Sequence, residues 1–166
     1  MFYVILAVVI FIADILTKIA AETFLMPIET FPVIEKIFHF TYVENKGIAF
    51  GMFSGGRVIF IIVSIMVLIL LCGLIVKTEN PLRTVWLKCG TALLISGAVG
   101  NLVDRLFRGY VVDFLDFRII DFPVFNVADI AVCVGAGMLL IHFLFAEGAA
   151  RANTGNLAET EDADIE

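Results

Sequence analysis

The stretch 58-VIFIIVSIMVLILLCGLIV-76 decides the fold class. It holds 19 residues and no charge. At ~1.5 Å per residue, a helix of that length covers about 28 Å, close to the hydrocarbon thickness of a bilayer. Three further apolar blocks flank it. One runs from about Phe2 to Ala21 and is interrupted by Asp14, Thr17 and Lys18. Another runs from about Thr84 to Val103, with Lys88 near its start. The last, about Val124 to Ala146, contains Asn126, Asp129 and His142. Of the 166 residues, 61% are hydrophobic, above the ~45–50% apolar content of soluble domains. The expected fold is a membrane all-α bundle of four transmembrane helices within residues 1–146.

The first block fits a transmembrane helix better than a cleaved signal peptide. No Lys or Arg precedes it, and Asp14 and Lys18 interrupt what would be a smooth core. The connection between helices 1 and 2, about Glu22–Gly56, is too long for a tight turn. Within it Ile37–Tyr42 roughly alternates apolar and polar residues and is rich in β-formers, and Gly47, Gly51, Gly55 and Gly56 follow. This predicts a small β-rich segment of short strands on the membrane surface. Residues 147–166 carry Glu147, Glu159, Glu161, Asp162, Asp164 and Glu166 against Arg151 alone. They are expected to form a disordered, solvating tail, and they account for much of the net charge of −6. That charge therefore says little about partners, and no nucleic-acid partner is expected. Cys72, Cys89 and Cys133 lie in apolar blocks without the spacing of a metal site or disulfide framework. His39 and His142 are far apart in sequence. No metal and no cofactor are expected.

Four spans bring particular polar residues to one membrane face. Asp14 and Lys18 lie in the later half of helix 1. Asn101, Asp104 and Arg105 end helix 3, spaced to share one side of it. Asp113 lies in the 3–4 loop. Asn126 and Asp129 open helix 4, and a helix beginning at Val124 would put Asp129 roughly 7 Å below its start. An acidic residue inside a span costs about 2.5–3.5 kcal/mol and by default marks a functional interior. Ordinary readings compete for several of these residues. Lys18 would snorkel to the interface, Asp104 would pair with Arg105 or Arg108, Asp14 would orient the 1–2 loop, and Asp116 and Asp121 would be structural loop carboxylates. Asp129 is harder to dismiss, since no basic residue stands at i±3 or i±4.

Two facing carboxylates in a partly dry site cannot both ionise readily, so they hold one proton between them. The ionised member takes a proton from water, and the protonated member donates to a peptide carbonyl or its leaving nitrogen. Asp113 and Asp129 are candidates for such a pair, although a loop of this length permits many positions for Asp113. Ser64 and Ser96 lie within spans, away from a suitable base. A proton relay or small transporter using Asp14, Lys18 and Asp129 is the competing reading. It would set ionisable groups at successive depths, whereas helix 2 offers none. A purely structural subunit leaves Asp129 unexplained.

Four segments also carry a resemblance. They are Asp14-Ile-Leu-Thr-Lys18, Asn45-Lys-Gly-Ile-Ala-Phe-Gly51, Gly97-Ala-Val-Gly-Asn-Leu-Val-Asp-Arg105 followed by Gly109-Tyr-Val-Val-Asp-Phe114, and Phe125-Asn-Val-Ala-Asp129. In this order they resemble the motifs of the bacterial lipoprotein signal peptidase (signal peptidase II) family, over about residues 1–146. The resemblance implies a membrane aspartyl endopeptidase that cleaves prolipoproteins just before a cysteine bearing a diacylglyceryl group. Asp113 and Asp129 match the catalytic dyad. Asp14, Asn45, Gly47, Asn101, Asp104, Arg105 and Asn126 match substrate-binding and supporting positions. Also implied are inhibition by globomycin-type cyclic peptides, contact with membrane lipid, and a monomer without metal or cofactor. The location implied is the bacterial cytoplasmic membrane, multi-pass, with termini cytoplasmic and with the active site and β-rich segment extracytoplasmic. Basic residues alone leave that orientation open. Lys77, Arg83, Lys88 and Arg151 lie on one side, and Lys36, Lys46, Arg57, Arg105, Arg108 and Arg118 on the other.

Overall fold

The computed structural model of the chain describes residues 1–47, 57–77 and 84–144. The motif residues 48–51 and the acidic tail, 147–166, lie outside them. Helix α1, Phe2–Ala20, continues into a widened π-helical turn, Ala21–Leu25. Helices α2 (Arg57–Lys77), α3 (Thr84–Phe107) and α4 (Val127–Leu144) follow. All four are long and apolar enough to cross a membrane, as expected.

Two helix ends differ from the apolar blocks. Helix α3 runs one turn past Val103 to Phe107. Helix α4 begins at Val127 instead of Val124, because Asn126 caps it. The Asn126 side-chain oxygen accepts the Asp129 N–H at 2.9 Å, and Asp129 Oδ2 accepts the Asn126 N–H at 3.2 Å. This reciprocal capping box satisfies two otherwise orphaned donors. Asp129 consequently sits in the first turn, roughly 3–5 Å along the axis, shallower than the sequence suggested.

Helix α3 is the central helix. Half of its span is buried, against 17% for α1 and α4 and 6% for α2. Glycines let α4 approach it closely. A Cβ at Gly97 would lie 2.3 Å from the Ala128 carbonyl oxygen, and one at Gly135 would lie 2.6 Å from that of Gly90. Close backbone approach through small residues is how helices pack where lipid removes the hydrophobic drive. The outward faces of α1 and α2 expose Val4, Val8, Ile12, Ile59, Ile62 and Met66, as lipid-facing surfaces should.

The sheet is antiparallel in the order β1-β2-β3, with β1 Thr30–Ile34, β2 Phe38–Asn45 and β3 Val111–Phe117. The β1–β2 hairpin is the β-rich segment expected between helices 1 and 2. Strand β3 comes from the 3–4 connection, which read as a loop. Its sequence Val-Val-Asp-Phe-Leu-Asp-Phe is rich in β-formers, and pairing with β2 supplies its hydrogen bonds, with Val43 opposite Asp113 and Asn45 opposite Val111. Val112 and Phe114 pack on Ala21 of the π-turn, together with Leu25, Phe40 and Val127. The strand is therefore wedged between the end of α1 and the start of α4.

Candidate active site

Wedging β3 against the start of α4 brings Asp113 and Asp129 to one groove of about 440 Å³, which Asn45 also lines. Phe122, Val124, Ile130, Cys133 and Val134 form its apolar wall. Asp113 is only 1% exposed, while Asp129 is half-buried. Every carboxylate oxygen of the two accepts an N–H. Asp113 Oδ2 takes the Asn45 amide at 2.8 Å and Oδ1 the Asn126 amide at 2.7 Å. Asp129 Oδ1 takes the Asn101 amide at 2.8 Å, and its Oδ2 takes the Asn126 backbone. Burial pushes the Asp113 carboxyl up to about 7. The Asn45 and Asn126 amides and the Lys18 charge oppose that shift, and the negative charge of Asp129 adds to it.

The amides that hold the pair are themselves oriented. Asn45 accepts the Gly47 N–H on its side-chain oxygen at 3.1 Å, so its NH2 must face Asp113. The Asn101 oxygen accepts the Lys18 ammonium at 3.0 Å and the Asn126 amide at 3.2 Å, leaving its NH2 for Asp129.

Beneath this layer lies a buried ion cluster. Lys18 is wholly buried and bridges Asp14 at 2.8 Å and Asp104 at 2.9 Å, so it does not snorkel. Nor does Asp14 orient the 1–2 loop. Its Oδ1 accepts the Ala128 N–H at 2.9 Å, placing a carboxylate at the positive end of α4. Gly100 leaves the room for it, since a Cβ there would lie 2.4 Å from Asp14 Oδ2. Asp104 pairs with Arg108, as one ordinary reading had it, and also accepts the Val112 N–H at 3.3 Å. It thus holds the residue beside Asp113. Arg108 in turn grips both oxygens of Glu22 at 2.8 Å.

Arg105 stands apart from the other expected residues. Its guanidinium lies 5.0 Å from the Phe60 ring centroid and donates to the Asn101 carbonyl at 3.3 Å. Among the described residues it forms no ion pair with either aspartate of the groove. Asp116 is tied to Arg118 and Thr41 within the sheet, as befits a structural carboxylate. The sequence reading missed how central Lys18 is. The available signal was its i, i+4 spacing from Asp14 inside an apolar helix. It also missed Glu22, for which no local pattern exists, and the room that Gly100, within the third motif, leaves for Asp14.

A sequence model of the family described as "Signal peptidase (SPase) II" matches residues 6–145. The chain belongs to the signal peptidase II family. It is 41% identical over 151 residues to a lipoprotein signal peptidase of Clostridioides difficile (strain 630), an alignment that spans 91% of this chain and 100% of that protein. It is 46% identical over 147 residues to one from Caldanaerobacter subterraneus subsp. tengcongensis, spanning 87% and 97%. A bacterial membrane enzyme solved by the in meso method at 1.9 Å resolution superposes with a TM-score of 0.77 and 34% identity, covering 86% of this chain and 92% of that one. The four segments that resemble signal peptidase II motifs are the ones whose side chains meet here. Asp14 and Lys18 come from α1, Asn45 from the end of β2 with the Gly47 backbone just beyond it, Asn101 and Asp104 from α3, and Asp113, Asn126 and Asp129 from β3 and the start of α4.

Proposed function

We propose that this chain is an aspartyl endopeptidase of the membrane, cleaving the signal peptide of diacylglyceryl-modified prolipoproteins just before the lipid-bearing cysteine. The observation that carries the reading is the groove itself. Two carboxylates from different elements line it together, every one of their oxygens engaged by an N–H donor, and the rest of its wall is largely apolar. A lipid-anchored substrate has its scissile bond near the membrane interface and its acyl chains just below. A polar pair lining a groove with an apolar wall suits both parts of it.

The chemistry needs one proton on the pair. The ionised aspartate takes a proton from water as the water oxygen bonds to the scissile carbonyl carbon. The protonated aspartate gives its proton to the carbonyl oxygen. Collapse of this tetrahedral species breaks the C–N bond, a proton passes to the leaving nitrogen, and the pair returns to its starting state. A carboxyl pushed up to about 7 by burial suits the acid of such a pair near neutral pH. Asn45, Asn101 and Asn126 hold the carboxylates, with Gly47 orienting Asn45. Asp14 and Asp104 support the start of α4 and strand β3. Arg105, held over Phe60 and on the Asn101 carbonyl, has a supporting part in this reading. Cytoplasmic termini, an outward-facing groove, action as a monomer and inhibition by globomycin-type cyclic peptides belong to the same reading.

The test is cleavage of a diacylglyceryl-modified prolipoprotein by purified protein. Asp113→Asn and Asp129→Asn are each expected to lower the rate by at least 10²–10⁴-fold while the helical circular dichroism stays unchanged. Near-normal turnover in either variant would sink the pair.

A further inference from the structure

The three amides around the aspartates differ in what orients them. The Asn45 oxygen is held by the Gly47 backbone N–H, and the Asn126 oxygen by that of Asp129. Only the Asn101 oxygen is held by a full charge, the Lys18 ammonium at 3.0 Å. The second donor to that oxygen, the Asn126 NH2, has two hydrogens and three acceptors in range. These are Asp113 Oδ1 at 2.7 Å, Asn101 Oδ1 at 3.2 Å and the Val112 carbonyl at 3.3 Å. Its nearest claim is on Asp113, so Lys18 is the stronger constraint on Asn101. Without it, the Asn101 amide is free to rotate by half a turn and present its oxygen to Asp129, a carbonyl facing a carboxylate.

We propose that Lys18 is a positioning residue: acting through the Asn101 amide, its ammonium fixes an N–H donor on Asp129 and so assigns that carboxylate the part of base, with Asp113 the acid. The proposal rests on the aspartyl reading above. The charges around the relay are few. Lys18 faces Asp14 from its own helix and Asp104 from α3, and Asp104 is shared with Arg108, itself paired with Glu22. Asp129 faces Asp113 from β3, and Arg105 is the nearby cation of α3, without an ion pair to it among the described residues. The burial of Asp113 and the partial exposure of Asp129 agree with these parts.

A base must be ionised to work, so activity falls as pH drops through the acid limb. Removing a donor from the ionised form means that ionisation needs a higher pH. Lys18→Met is therefore expected to move the acid limb of kcat upward by about one pH unit, with a smaller change in KM. Because Lys18→Met strands two buried carboxylates, Asp14→Asn/Lys18→Met serves beside it, leaving Asp104 with Arg108. Asn101→Ala is expected to shift the limb similarly. Adding Lys18→Met to Asn101→Ala should shift it no further, since the route runs through the amide. An unmoved acid limb in Asp14→Asn/Lys18→Met overturns the proposal, as does a full additional shift in the Asn101→Ala background. Near-normal cleavage by Asp129→Asn overturns the aspartyl reading and this proposal together. Loss of cleavage there with an unmoved limb in the Lys18 variant overturns this proposal alone.

Discussion

Asp113 lies almost wholly out of water, and its carboxyl is pushed from 3.8 to about 7. Folding therefore takes up a proton at this residue between those two values. The folded chain holds the proton where the unfolded chain has released it, so this contribution to stability is present at low pH and is lost as pH rises toward about 7. Asp113→Asn removes that dependence. Its thermal midpoint in detergent, relative to the parent chain, should improve by several degrees between about pH 5 and about pH 8. An equal difference at both values would show that the residue titrates normally. At this scale the sequence was informative wherever an ionisable residue interrupted an apolar run, as Asp14 and Asp129 do. It was uninformative about distant partners. The i, i+4 spacing offers Asp14 as one partner of Lys18, but the second, Asp104, stands 86 positions away and no local pattern reports it.

At the start of α4, one residue serves two structures. Asn126 caps the helix through its oxygen and grips Asp113 through its nitrogen. The two roles separate by mutation. Asn126→Ala removes both and is expected to cost about 1–2 kcal/mol from the cap alone, with cleavage largely lost. Asn126→Ser keeps a good cap, so stability should return toward that of the parent, while cleavage stays low because serine cannot reach Asp113. Cleavage restored by serine would confine Asn126 to capping. The spacing of Asn126 and Asp129 was legible as a shared helical face, but the capping box shifted the helix start by three residues. The third strand was not legible, because β3 is buried on nearly its whole length. A short apolar run without clean alternation does not declare itself as strand. The hairpin strand β2 has one face half open, and its alternation was visible.

Across the whole molecule, the four spans were plain in the sequence because lipid tolerates so few charges in a helix. Their mutual packing was not, since it depends on glycines meeting backbone across α3 and α4. One consequence is testable on the groove. Cys133 is exposed, lines the groove and stands one turn beyond Asp129 on α4. A bulky maleimide attached there should block cleavage, and the Cys133→Ser chain should resist the reagent although Cys72 and Cys89 remain. Full activity in the labelled parent would place the substrate elsewhere.

The way the site is divided along the chain also bears on its biogenesis. Asp14 reaches the α4 backbone, and Asp129 is delivered by that same helix. While the first three helices enter the membrane, the chain has one aspartate on a strand, a buried cluster missing its N–H partner at Ala128, and no facing carboxylate. Arrival of the fourth helix completes the ion network and, on the proposed aspartyl reading, the acid–base pair in one event. On that reading peptidase activity reports full insertion, and a chain stalled before α4 is expected to cleave nothing.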